Sequence, residues 1–195
     1  MFLQIPADHE TTVRLYQNDI EQQGFVMNLS RLWAWRPEVC EAFGALRTQL
    51  TGNSTLSGRE LAVIVCATIA SLGDSYCALA WGKKLAAATD PSTAAAVLRG
   101  SESGDMTARD RALSVWARKV ARNPNAATAQ DVEALRAAGF SEREIFEATA
   151  FVAFRLAFST INDALGVKPD WQLAAAAPAE VNKAVTYGRP VAGRS

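Results

Sequence analysis

Histidine is almost missing from this sequence: 195 residues contain one, His9. Ser-His-Asp or Cys-His catalysis could draw only on that residue, in a polar N-terminal stretch of the kind that is commonly mobile. Cysteine is sparse too. Cys40, Cys66 and Cys77 are odd in number and widely spaced, which argues against a disulfide scaffold and for reduced thiols in the cytoplasm. No Cys/His cluster has zinc-site spacing, so no metal is expected. There is no net charge, with 20 basic and 20 acidic residues; nucleic acid and anionic membrane surfaces are not expected partners. The longest apolar run, near residues 61–72, is too short to span a bilayer. The opening MFLQIPADHE puts no basic stretch ahead of an apolar one, so no secretory leader is expected. A Walker A loop and a strand-linked GxGxxG are both lacking, and no nucleotide cofactor is expected.

Runs of alternating β-branched residues are missing as well. Ala and Leu recur instead at helical spacing in a chain that is 49% hydrophobic, so the expected fold is all-α, a helical bundle in one domain spanning 1–195. Helices are predicted over 11–22, 37–50, 57–72, 74–88, 91–99, 107–122, 128–138 and 141–165. Ser57 and Glu60 have capping-box spacing, as do Ser141 and Glu144; Gly73 and Gly166 mark helix ends. Trp33, Val39, Phe43 and Leu46 are read as a core-facing stripe. The segment 171–195, rich in Ala and Pro, is expected either to pack on a neighbour or to be loosely ordered.

The stretch SLGDSYCALAWGKKL, 71–85, carries the chemistry. Asp74 is placed to cap the helix that follows, accepting N–H bonds from Tyr76 or Cys77. Cys77 then falls in the first turn, where the helix dipole favours a thiolate by about 0.3–1 kcal/mol. The Asp74 charge works against it, since a like charge raises a thiol pKa. A poorly activated thiol is the expectation. Trp81 lies one turn on and on the same face; its indole can donate but cannot relay a proton. A lone cysteine on an apolar helix is more often a small buried hydrophobe, Glu60 could serve only its capping box, and Trp81 could be plain core.

Four stretches resemble the alkylhydroperoxidase AhpD-like family, also called carboxymuconolactone decarboxylase-like, and within it the peroxidase-related members. They are NLSRLWAWRPEVCEAFGALRTQL, LSGRELAVIVCATIA, SYCALAWGKKLA and the long segment from DRALSVWARKVARNP to DALGVKPD, covering about 25–170. The family pattern is a glutamate followed by Cys-x-x-Cys-x-x-x-His. The resemblance places its peroxide-attacking cysteine on Cys77, with Tyr76 before it. The resolving cysteine falls on Asp74 and the histidine on Trp81. The glutamate falls on Glu60, about two residues farther from the motif than in the family. Asp74 cannot close the disulfide that the family forms, so a sulfenic acid on Cys77 would need an external thiol or Cys66.

The resemblance thus implies a cysteine-based hydroperoxidase with Cys77 and Glu60 as catalytic residues, no cofactor, a thiol reductant as partner, and a homo-oligomer from dimer to hexamer. Trp33 and Trp35 would be its interface anchors. Two alternatives stand beside it. One is a non-redox member that binds a small ligand near Trp81 and Tyr76 or serves as a scaffold. The other is a proton-transfer enzyme using Asp74 and Glu60 as a carboxylate pair.

Overall fold

A computed structural model describes residues 1–7 and 9–194. Among them are eleven α-helices and no strand: α1 Glu10–Gln23, α2 Asn28–Trp33, α3 Pro37–Gly52, α4 Gly58–Leu72, α5 Ser75–Ala88, α6 Pro91–Arg99, α7 Ala108–Arg122, α8 Ala129–Ala137, α9 Glu142–Ala164, α10 Trp171–Ala176 and α11 Ala179–Ala184. The eight predicted helices are all present. Three more were not predicted, α2, α10 and α11, each of six residues.

Helix α4 is the axis. Every residue from Ala62 to Ile69 is buried, the all-round burial that an unbroken apolar helix demands. It packs on α5, α7 and α9, and α6 closes over α5. Four capping boxes start the main helices: Ser57 with Glu60, Thr107 with Asp110, Thr128 with Asp131 and Ser141 with Glu144. Each satisfies two N–H groups that the helix itself leaves open. Gly73 ends α4 at φ 79°, a left-handed turn that folds α5 straight back along α4.

The N-terminal helices hold less core. Trp33 is buried, stacked on Phe158 with centroids 5.2 Å apart, and its indole donates to Asn162 Oδ1 at 2.9 Å. Leu46, expected in the same stripe, is 43% exposed, while Val39 and Phe43 are half-buried. His9, expected in a mobile stretch, sits at the N-cap of α1 with Nδ1 2.8 Å from Thr12 Oγ1.

The C-terminal segment packs on its own chain. Helix α11 lies on α6 and α5, with Val181 and Ala184 buried. Beyond it, residues 185–192 cross the α4–α5 turn. Ser75 Oγ donates to the Arg189 carbonyl at 2.8 Å, and Arg189 donates to the Asp163 carbonyl at the same distance. Gly188 passes so close that a Cβ there would stand 2.4 Å from the Gly73 carbonyl oxygen. No helix among the described residues is long and apolar enough to cross a membrane.

Candidate functional site

Asp74 caps α5 as its position predicted. Its Oδ1 accepts the Cys77 N–H at 2.9 Å, and the carboxylate is fully buried. The cap fixes the first turn of α5 and with it the Cys77 side chain, which forms part of a cleft of ≈ 550 Å³ between α5, α9, α10 and the α1–α2 connection. Cys77 is 4% exposed.

The sulfur has a cationic partner. Arg155, on α9, reaches across and donates from Nη2 to Cys77 Sγ at 3.1 Å, while Ser159 Oγ, one turn later, stands at 4.0 Å. Arg155 in turn lies between two rings, its guanidinium carbon 5.6 Å from the Trp81 centroid and 5.3 Å from that of Phe158, a geometry in which the π-faces favour positive charge. The thiol is nonetheless held above its ordinary pKa. Burial is the largest cause and the Asp74 charge the next, with Arg155 opposing. The sequence pointed to Asp74; it did not show that desolvation outweighs it.

Tyr76 belongs to the same cleft, but its hydroxyl is committed. It donates to Asp170 Oδ2 at 2.6 Å, and Asp170 also accepts the Asn28 N–H at 3.1 Å. Burial and the Asp170 charge push the phenol far up, so Tyr76 acts as a strut between α5, α2 and the start of α10. Trp81 is half-buried and forms a cleft wall, with Lys84 Nζ 4.4 Å from its ring.

Glu60 is not beside Cys77. It stands in the first turn of α4, while Cys77 lies past the last, in the first turn of α5; at about 1.5 Å rise per residue, and with α5 running back along α4, the two are separated by roughly 15 Å along the helix axis. Both Glu60 oxygens are engaged: Oε2 accepts from the Ser57 N–H and hydroxyl at 2.7 and 2.8 Å, and Oε1 from Arg109 Nε at 2.5 Å. Arg109 also bonds Glu144 Oε1 at 3.0 Å. This cluster ties the N-terminus of α4 to α7 and α9. The expected proton-transfer pairing of Glu60 with Cys77, and the Asp74–Glu60 carboxylate pair, both fail on that separation. The two extra residues between glutamate and motif are the signal.

The other thiols lie elsewhere. Cys66 is fully buried on α4, and desolvation pushes its pKa to about 12. Cys40 borders a 120 Å³ cavity among Phe43, Phe151 and Phe154 that shares Arg47, Arg155 and Phe158 with the cleft, its pKa raised to about 11 chiefly by burial. No group of side chains suited to hold a metal occurs among the described residues.

Arg155 and Ser159 were missed in the sequence. Arg155 is the one charged residue in the run 148–161 of α9, and a lone charge among buried residues requires a partner. That was a readable sign.

No family model matches the chain, and no curated protein does. Solved structures do match over nearly the whole length. One is an uncharacterised peroxidase-related protein from Silicibacter sp. TM1040, at TM-score 0.75 and 25% identity, covering 93% of both chains. A second is an uncharacterised peroxidase-related protein with an alkylhydroperoxidase AhpD core from Ralstonia eutropha JMP134, at TM-score 0.76 and 24% identity, covering 96% of this chain and 97% of the other. The chain has the AhpD-like fold. The resemblance read from the four stretches and the likeness of the structures agree on it. The debrominase Bmp8, solved with 2,3,4-tribromopyrrole, shares the AhpD-like fold at TM-score 0.72 and 16% identity, covering 90% of this chain and 96% of its own.

Proposed function

We propose that the protein is a single-thiol oxidoreductase of hydroperoxidase type, acting through Cys77. The observation that carries this reading is the sulfur in the cleft with Arg155 Nη2 at 3.1 Å. The sulfur attacks the terminal oxygen of a hydroperoxide, the O–O bond breaks, and the thiol proton leaves with the alcohol. Cys77 becomes a sulfenic acid. Arg155 stabilises the negative charge on sulfur as the S–H proton departs, in surroundings where such a contact is worth more than in water. An external thiol then condenses with the sulfenic acid, releasing water, and a second thiol frees Cys77 as the external disulfide forms. Asp74 leaves no second cysteine in the motif, and Cys66 is enclosed, so the reductant comes from outside. We also propose, on the family resemblance, that the chain assembles with copies of itself.

The raised thiol pKa and the 4% exposure of Cys77 favour the second reading, a cleft that binds a small molecule without redox turnover. The deciding assay follows loss of cumene hydroperoxide with excess dithiol, comparing wild type with Cys77→Ser; a brominated pyrrole is run in parallel because Bmp8 shares the fold. Consumption that disappears in Cys77→Ser is the expected result. Equal rates for the two proteins would leave only the binding reading.

A further inference from the structure

The cleft over Cys77 contains more positive charge than the thiol needs. Arg47 of α3, Lys83 and Lys84 of α5 and Arg155 of α9 all line it, and among the described residues no acidic side chain does. Among the described residues none of the four forms an ion pair. Some other arginines near the core are paired, as Arg59 is with Asp110 and Arg109 is with Glu60 and Glu144, while Arg31, Arg118 and Arg189 form no ion pair among the described residues and, like Arg155, keep an Nε–H without a partner; what sets the cleft apart is that its cations are gathered round one cavity. Arg155 is 5% exposed, gives Nη2 to the sulfur, and has an Nε–H with no hydrogen-bond partner. A buried guanidinium N–H left open is costly unless something binds it.

We infer that the cleft takes an organic anion, a carboxylate on an apolar or aromatic body, held by Arg47, Lys84 and the open Nε–H of Arg155 next to Cys77. Of the four cations, Arg47, Lys84 and Arg155 repel one another without such a guest. Lys84 is pushed below its ordinary pKa by burial and then by Arg47 and Arg155, and Arg47 by burial and then by Arg155. An anion between them removes that repulsion and satisfies several donors at once. Most of the rest of the lining is apolar or aromatic, including Phe25, Leu29, Trp81 and Phe158, with Gln23 and Gln172 at polar positions. A space of ≈ 550 Å³ is the size that takes a small organic molecule, rather than a bare inorganic ion. The cations divide the work: one N–H of Arg155 serves sulfur, while its Nε–H, Arg47 and Lys84 serve the substrate. This inference rests on the Cys77 reading for its placing of the anion beside a reacting sulfur; binding itself does not depend on turnover.

The test uses Cys77→Ser protein, which cannot turn over, and isothermal titration with three probes: phenylbutyrate, the uncharged phenylbutyramide, and inorganic phosphate. The acid is expected to bind, and the amide and phosphate to bind at least about tenfold more weakly. Adding Arg47→Gln and Lys84→Gln should weaken the acid by about tenfold or more and flatten its dependence on salt. Both side chains have exposed surface, and circular dichroism checks that the fold survives. An amide that binds as tightly as the acid, phosphate that binds as well as either, an unchanged affinity in the charge variant, or no binding of phenylbutyrate would each overturn the inference. Charge-dependent binding without hydroperoxide consumption keeps it and removes the peroxidase reading; Cys77-dependent consumption with charge-independent binding does the reverse.

Discussion

Cys77 feels two opposite charges at close range, Asp74 on its own helix and Arg155 across the cleft. With its pKa raised, little of the thiol is thiolate at pH 8, and each unit of pKa changes that fraction about tenfold. Asp74→Asn keeps an oxygen to cap α5 and removes the charge. Iodoacetamide should then alkylate Cys77 several-fold faster at pH 8, roughly up to tenfold. Arg155→Gln should slow it. Both rates are read by mass spectrometry of the Cys77 peptide, and a slower Asp74→Asn reaction would contradict the assigned direction. Asp74 could be read from the sequence because a cap acts three residues away. Arg155 acts from 78 residues away, and no local pattern sets that distance; only its isolation in an apolar run hinted at it.

Among the elements, α4 has two ends with different tasks. The end bearing Glu60 is bolted to Arg109 and, through it, to Glu144. The end bearing Gly73 presents the motif. Glu60→Gln can retain the capping box but loses the ion pair, and is expected to lower stability by about 1–2 kcal/mol in urea unfolding. Cys77 alkylation should stay within about twofold of wild type, because the mutated group is roughly 15 Å away along the helix axis. A large loss of Cys77 reactivity would restore Glu60 to the site. At the other end, Gly188→Ala puts a Cβ 2.4 Å from the Gly73 carbonyl at a φ of 75°. The combined strain is about 2–4 kcal/mol, seen as a lower melting temperature and faster proteolysis after residue 184. Helices with a capping signal and a long apolar face were legible in sequence. Helices α2, α10 and α11 were not: six residues cannot sustain a helix by propensity, and what holds these three is contact with the rest of the chain.

At the scale of the whole molecule, acidity and stability are linked through Asp163. Burial and the Asp74 charge raise its carboxyl to about 7, with Arg189 opposing. The native chain therefore holds this proton more tightly than the unfolded chain, where the group titrates near 3.9. Its contribution is complete below about pH 4 and is lost as pH rises through 7. Asp163→Asn should match wild type at pH 4 and exceed it by roughly 1–3 kcal/mol at pH 8, in urea midpoints at the two pH values. A gain of equal size at both would rule out the proton linkage. The all-α architecture was readable from composition and period. The cleft was not, because its walls come from α3, α5, α9 and α10, which only the folded chain brings together.

The strap over the α4–α5 turn also sets an order in time. Ser75 is secured by Arg189, 114 residues later, and a ribosome makes about 5–20 residues each second. The helix that bears Cys77 therefore emerges many seconds before its clasp is made. For that interval the thiol's turn is bare in the nascent chain, open to oxidants and to chaperones, and it is covered only after residue 189 has been made and has left the ribosome.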